Sequence, residues 1–117
     1  MAIRYVRLSP REAYDKICVG LTGQFLTAEE IASHTVRNAD KSETVVGVFE
    51  KYSWRNSNRM TMTVLCSSAG KGRSEVFFVA SGASSGLLGF DWGAGEDFEH
   101  ALESSLGEYL CADPDDL

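Results

Sequence analysis

The segment Gly82-Ala83-Ser84-Ser85-Gly86 has the G-x-S-x-G form of a nucleophile elbow and follows the apolar run Val76-Phe77-Phe78-Val79-Ala80. In such an elbow a sharp strand-to-helix turn lifts the serine Oγ toward an oxyanion site. Asp91 and His100 come later in the order Ser–Asp–His, so the chemistry on offer is acyl transfer by Ser84 with His100 as base and Asp91 as its orienter. The elbow also needs a helix directly after its second glycine and a parallel sheet beneath it. No clear helix pattern starts after Gly86, no parallel sheet is signalled, and His100 falls on the polar face of the last helical segment. A Gly/Ser loop is the preferred reading, and a small serine hydrolase using Ser84 is the alternative.

A second group with chemical potential is Glu50, Tyr52, Asn58 and Arg59, which flank one hairpin, with Trp54 in its turn. The two-residue period of a strand puts Glu50 and Tyr52 on one face, where Arg59 can meet either across the strand pair. As a site this holds a carboxylate or another anion through the guanidinium. As structure it is a cross-strand ion pair beside a turn asparagine, which is the preferred reading. Trp54, a large aromatic in a polar turn, is a contact residue or packs on the sheet edge. Gly93-Ala94-Gly95 lacks the Lys-Ser/Thr of a phosphate loop, and Glu96, Asp97 and Glu99 would repel phosphate.

His34 and His100 have no partners at ligand spacing, so no metal site and no cofactor is expected. Cys18, Cys66 and Cys111 are odd in number and widely spaced. Cys18 and Cys66 read as small core residues, and Cys111 as partly exposed.

The elements that must position these residues are readable in order. Residues 2–8 form a first strand. Ser9-Pro10-Arg11-Glu12 is a helix start, with Ser9 as cap, Pro10 at the first helical position and Glu12 reaching back. Ala13, Tyr14, Ile17, Cys18 and Leu21 give that helix one apolar stripe, and Gly20 and Gly23 are expected to end it. A strand follows over about 30–37, although a short helical turn before it stays open, and Asn38-Ala39-Asp40-Lys41 turns the chain. Strands are expected at 44–52, 59–66 and 75–81 from β-branched content and period-two alternation. Residues 87–92 are a strand or a loop. A helix is expected from about Glu96 to Leu110, its core stripe running from Phe98 through Ala101, Leu102 and Leu106 to Tyr109 and Leu110.

The expected class is α+β, in the order β-α-β(3-4)-α: a curved antiparallel sheet with both helices on one face, in a helix-grip, TBP-like arrangement. The 117 residues suit one domain over 1–112 with an acidic tail at 113–117. The strands at 44–52 and 75–81 are apolar on both sides, Val45 and Phe49 against Val46 and Val48. Helices on one face leave the other to be covered by a second subunit or by a small apolar or amphipathic ligand.

Hydrophobic residues are 44% and charged residues 24%, an ordinary globular balance. The net charge of −6 is asymmetric: residues 1–59 are mildly basic and residues 60–117 carry ten acids against two bases. No concentrated basic face is apparent, so nucleic acid is not an expected partner. The absence of a long apolar run points away from a membrane and toward the cytoplasm.

Phe49-Glu50-Lys51-Tyr52-Ser53, then Ser57-Asn58-Arg59, Ser81-Gly82 and Gly95-Glu96-Asp97-Phe98, resemble a family of small uncharacterised proteins from Firmicutes over roughly residues 30–106. The resemblance implies a bacterial origin and carries no assigned activity. The reading that follows is a non-enzymatic homodimer with a possible small-molecule ligand.

Overall fold

The computed structural model describes residues 2–24, 28–53, 58–82 and 92–113, with backbone alone at 53, 58, 82 and 92–97. Its elements are β1 (Ala2–Val6), α1 (Pro10–Gln24), β2 (Glu29–Arg37), β3 (Glu43–Ser53), β4 (Asn58–Ser68), β5 (Ser74–Gly82), α2 (Trp92–Leu106), a single 3-10 turn at Gly107–Tyr109, and β6 (Leu110–Cys111). The strands form one antiparallel sheet in the order β2-β3-β4-β5-β1-β6. This is an α+β fold, as the patterning implies.

Both helices lie on the same face. Ala13, Tyr14, Ile17 and Leu21 of α1 and Phe98, Ala101, Leu102 and Leu106 of α2 share one buried cluster with Val45, Phe49, Met62, Val64, Cys66, Val76 and Phe78 of the sheet. Each sheet member of that cluster alternates with a residue directed to the opposite face, the geometry a pleated strand imposes.

The start of α1 follows its sequence signature. Glu12 N donates to Ser9 Oγ at 3.2 Å and Ser9 N donates to Glu12 Oε1 at 3.1 Å, the reciprocal pairs of a capping box. Hydrogen bonding of the carboxylate to the Ser9 backbone N–H first, and to its side chain second, holds the Glu12 carboxyl below the usual carboxylate range. A depressed folded-state pKa adds stability above the ordinary carboxylate value, and that stability is lost as pH falls through the folded value. Ser9→Ala is expected to lower stability by about 1 kcal/mol near neutral pH. In urea melts the gap between wild type and Glu12→Gln should shrink below about pH 4, as protonation removes the charge that strengthens the bond from Ser9 N; an unchanged gap there would contradict the capping role.

Three boundaries differ from the sequence expectation, each for a physical reason. First, α1 does not stop at Gly20 or Gly23 but continues to Gln24. Gly20 serves helix–helix contact instead, because a Cβ there would overlap Ser105 of α2. Second, α2 begins at Trp92, not Glu96, so Trp92 is helical while the rest of the possible strand 87–92 lies outside the described residues. Third, α2 ends at Leu106, not Leu110. Gly107 takes φ 46°, a left-handed conformation that glycine adopts freely, and the chain turns back to the sheet. There Arg7 N donates to Tyr109 O at 2.8 Å, and Leu110 and Cys111 pair with Val6 and Tyr5.

Candidate interaction face

On the side of the sheet away from the helices, the register lines side chains up in rows. One row runs His34, Val46, Leu65, Phe77, Ile3 across β2, β3, β4, β5 and β1. Beside it run Ala32, Val48, Thr63 and Val79. Val46, Val48, Leu65 and Phe77 are half-buried by one another, while Ile3, Val36 and Val79 are exposed.

Polar rows frame this apolar middle. Toward one end, Glu50, Thr61 and Ser81 stand in register, with Thr61 and Ser81 hydroxyls 2.9 Å apart. Toward the other end lie Thr44, Ser67, Glu75 and Tyr5. Thr44 and Ser67 hydroxyls are 3.1 Å apart, and Tyr5 donates to Glu75 at 3.1 Å. Desolvation, the Glu75 bond and Asp113 push the Tyr5 phenol up to about 12, so it stays a neutral donor. An apolar middle with a hydrogen-bonded polar margin is the anatomy of a protein interface.

The hairpin group sits at the margin of this face. Tyr52 and Arg59 are directly paired, and Glu50 is one step along the strand. Arg59 Nη1 reaches Glu50 Oε1 at 3.0 Å, and its guanidinium lies 5.9 Å from the centre of the Tyr52 ring. Glu29 stands opposite Glu50 in the register, so the arginine also offsets a like-charge pair. Glu50, Tyr52 and Arg59 are thus brought together as a partly exposed ion pair with a stacked aromatic. Trp54 lies outside the described residues, and of Asn58 only the backbone is described, paired with Ser53.

The residues of the serine-hydrolase alternative are not seen together. Ser84 and Asp91 lie outside the described residues, and His100 is exposed on α2. Every described strand pairing is antiparallel, and α2 starts six residues after Gly86.

The Cys18 and Cys66 thiols are poor nucleophiles here. Burial pushes Cys66 up to about 12, and burial followed by the neighbouring Glu30 raises Cys18. Among the described residues, no group of three His, Cys, Asp or Glu converges as a metal ion requires. Nor is any described helix long and apolar enough to cross a membrane.

Two features escaped sequence reasoning. Ile3 joins the apolar row through the β1–β5 pairing, which links segments distant in the chain and leaves no local signal. Tyr14, expected only as part of a core stripe, also donates from its hydroxyl to the Glu30 carboxylate. Desolvation and that acceptor raise its pKa. Its ring lies against Gly47, whose missing side chain makes the room; an isolated glycine inside a strand pattern is the signal that could have exposed this contact.

Fold and face together define a small α+β domain with one helix-covered and one apolar, uncovered sheet surface. The DUF6054 family, a family of unknown function, matches residues 2–110, and the chain belongs to it. Neither the curated proteins nor the solved structures contain a match to it.

Proposed function

We propose that this domain is a non-enzymatic, homodimeric binding module that closes its open sheet face against the same face of a second copy. The observation that supports this is the row Val46, Leu65, Phe77 and Ile3, flanked by Val48 and Val79 and framed by polar rows. An apolar patch of that extent is costly to leave in water.

The size of the face also favours a second copy. Five strands at ~4.8 Å spacing and about 30 Å of strand length give a surface on the order of 700 Å². A stable complex buries about 800 Å² per partner. Two such faces pack as a sandwich with their strands about 30° apart, leaving the Glu50–Arg59 pair at the rim.

Light scattering coupled to size exclusion tests this. The wild type should elute as a dimer at micromolar concentration. Leu65→Lys combined with Phe77→Lys should elute as a folded monomer with an unchanged far-UV spectrum. A wild type that is monomeric overturns the dimer. If native mass spectrometry then finds that monomer carrying an apolar small molecule, the ligand is what covers the face.

A further inference from the structure

At the end of the sheet near the start of α1, the β2–β3 and β4–β5 turns enclose a cleft of about 250 Å³. Its lining includes Ser9, Lys41, Ser42, Glu43, Ser68 and Arg73. That volume lies just below the range of sites for drug-sized ligands. We propose that this cleft binds a compact oxyanion of the phosphate class between Lys41 and Arg73.

The first support is charge. Among the described residues, neither the Lys41 ammonium nor the Arg73 guanidinium has a carboxylate within 4 Å, and no side-chain hydrogen bond occupies either. Glu43 is the one acid among the described lining residues, so the lining is net cationic within a chain whose net charge is −6. A guanidinium and an ammonium on the lining of one cleft offer the forked and point-charge donors that phosphate oxygens accept. The Ser68 and Ser9 hydroxyls can each add a donor, Ser9 while its oxygen still accepts from Glu12 N. Ser42 is committed elsewhere: its hydroxyl donates to Asp40 at 2.6 Å and accepts from Asn38.

The second support is conformational, and it comes from comparing the two turns. In one, Asn38 N donates to Ser42 O; in the other, Ala69 N donates to Arg73 O. The two turns are the same length, and their fourth residues are Lys41 and Gly72. Both are left-handed, with φ 71° and φ 68°. Gly72 takes that conformation freely, whereas Lys41 does so at a conformational cost that glycine avoids. Lys41 is the only described non-glycine residue with a positive φ. Placing a lysine where the backbone favours glycine makes sense if its ammonium is needed at the cleft.

These two supports give a test in which stability and binding move apart. The full-length protein is titrated at constant ionic strength with inorganic phosphate and with pyrophosphate, followed by 1H–15N correlation spectra, with sodium chloride as the control. Either anion should shift the amides of Ser42, Gly70, Gly72 and Arg73 saturably. Arg73→Ala should weaken binding by about tenfold or more, as loss of a charge-assisted contact does. Lys41→Gly should weaken it comparably while its Tm is equal to or above that of the wild type. Shifts that do not saturate, that lie elsewhere, or that Lys41→Gly leaves intact overturn the proposal.

Discussion

Gly47→Val should leave the chain largely unfolded at room temperature, and Gly47→Ala should lower stability by about 1–3 kcal/mol, the usual cost of overpacking a core. Gly47 lies in the middle of β3, between Val46 and Val48, on the helix-facing side. A Cβ there would overlap the Tyr14 hydroxyl and press on two ring carbons. The ring has little freedom to retreat: it is 2% exposed, its centroid lies 6.0 Å from that of Phe49, and its hydroxyl is bonded to Glu30. The added atoms therefore meet a side chain held on three sides. Thermal melts of Gly47→Ala, Tyr14→Leu and the double variant check this. The double variant should be more stable than the sum of the single effects predicts, because the smaller side chain makes room for the new methyl group. Additive losses would show that Gly47 is needed for some other reason.

The second large effect separates two adjacent phenylalanines. Phe78 faces the helices and is 2% exposed, whereas Phe77 faces the open side and is half-buried. Phe78→Ala should cost about 3–5 kcal/mol, since it removes most of a buried ring and leaves a cavity. For a domain at the lower end of the usual range of about 5–15 kcal/mol, that loss approaches the whole stability. Phe77→Ala should cost the single chain about 1 kcal/mol, because less apolar area returns to water. Denaturant melts over a range of protein concentrations distinguish them. Loss at Phe78 should be independent of concentration, while loss at Phe77 should grow with concentration if a second copy covers it. Equal losses at the two positions would mean that the faces are not inequivalent.

Much of the fold is legible in local chemistry. Ser9, Pro10 and Glu12 mark the start of α1 through the bonds that they make. The alternation of Met60, Met62 and Val64 with Thr61 and Thr63 marks β4 and the face that it buries. Glycine misleads where its reason is tertiary. Gly20 and Gly23 look like helix ends, yet α1 passes through both, and Gly20 is explained only by Ser105 on another helix. Gly107 looks like a weak spot inside a helix and proves to be its end, because the following residues gain sheet bonds that the helix would forgo.

The candidate face is half legible. Two-sided strands reveal that an outward apolar surface exists, and the pairing of Arg59 with Glu50 follows from the strand period. Which outward residues become neighbours depends on register between strands, and the contribution of β1 depends on a pairing between distant segments. The Lys41–Arg73 cleft is less legible still, since the turns starting at Asn38 and Ala69 meet only because β3 and β4 pair with those ends aligned.

That same distant pairing bears on the order of assembly. β1 is the earliest described element to leave the ribosome, yet it bonds to β5, with Tyr5 and Glu75 seventy residues apart. Its far edge is met by β6, later again. Closing so long a stretch of chain carries an entropic cost before any contact rewards it. The hairpins β2–β3, β3–β4 and β4–β5 can form locally, so β1 joins after them and β6 then closes on its far edge. Until then its apolar residues Ile3 and Val6 remain without neighbours on the nascent chain, and that interval is when the growing protein is most exposed to wrong pairing.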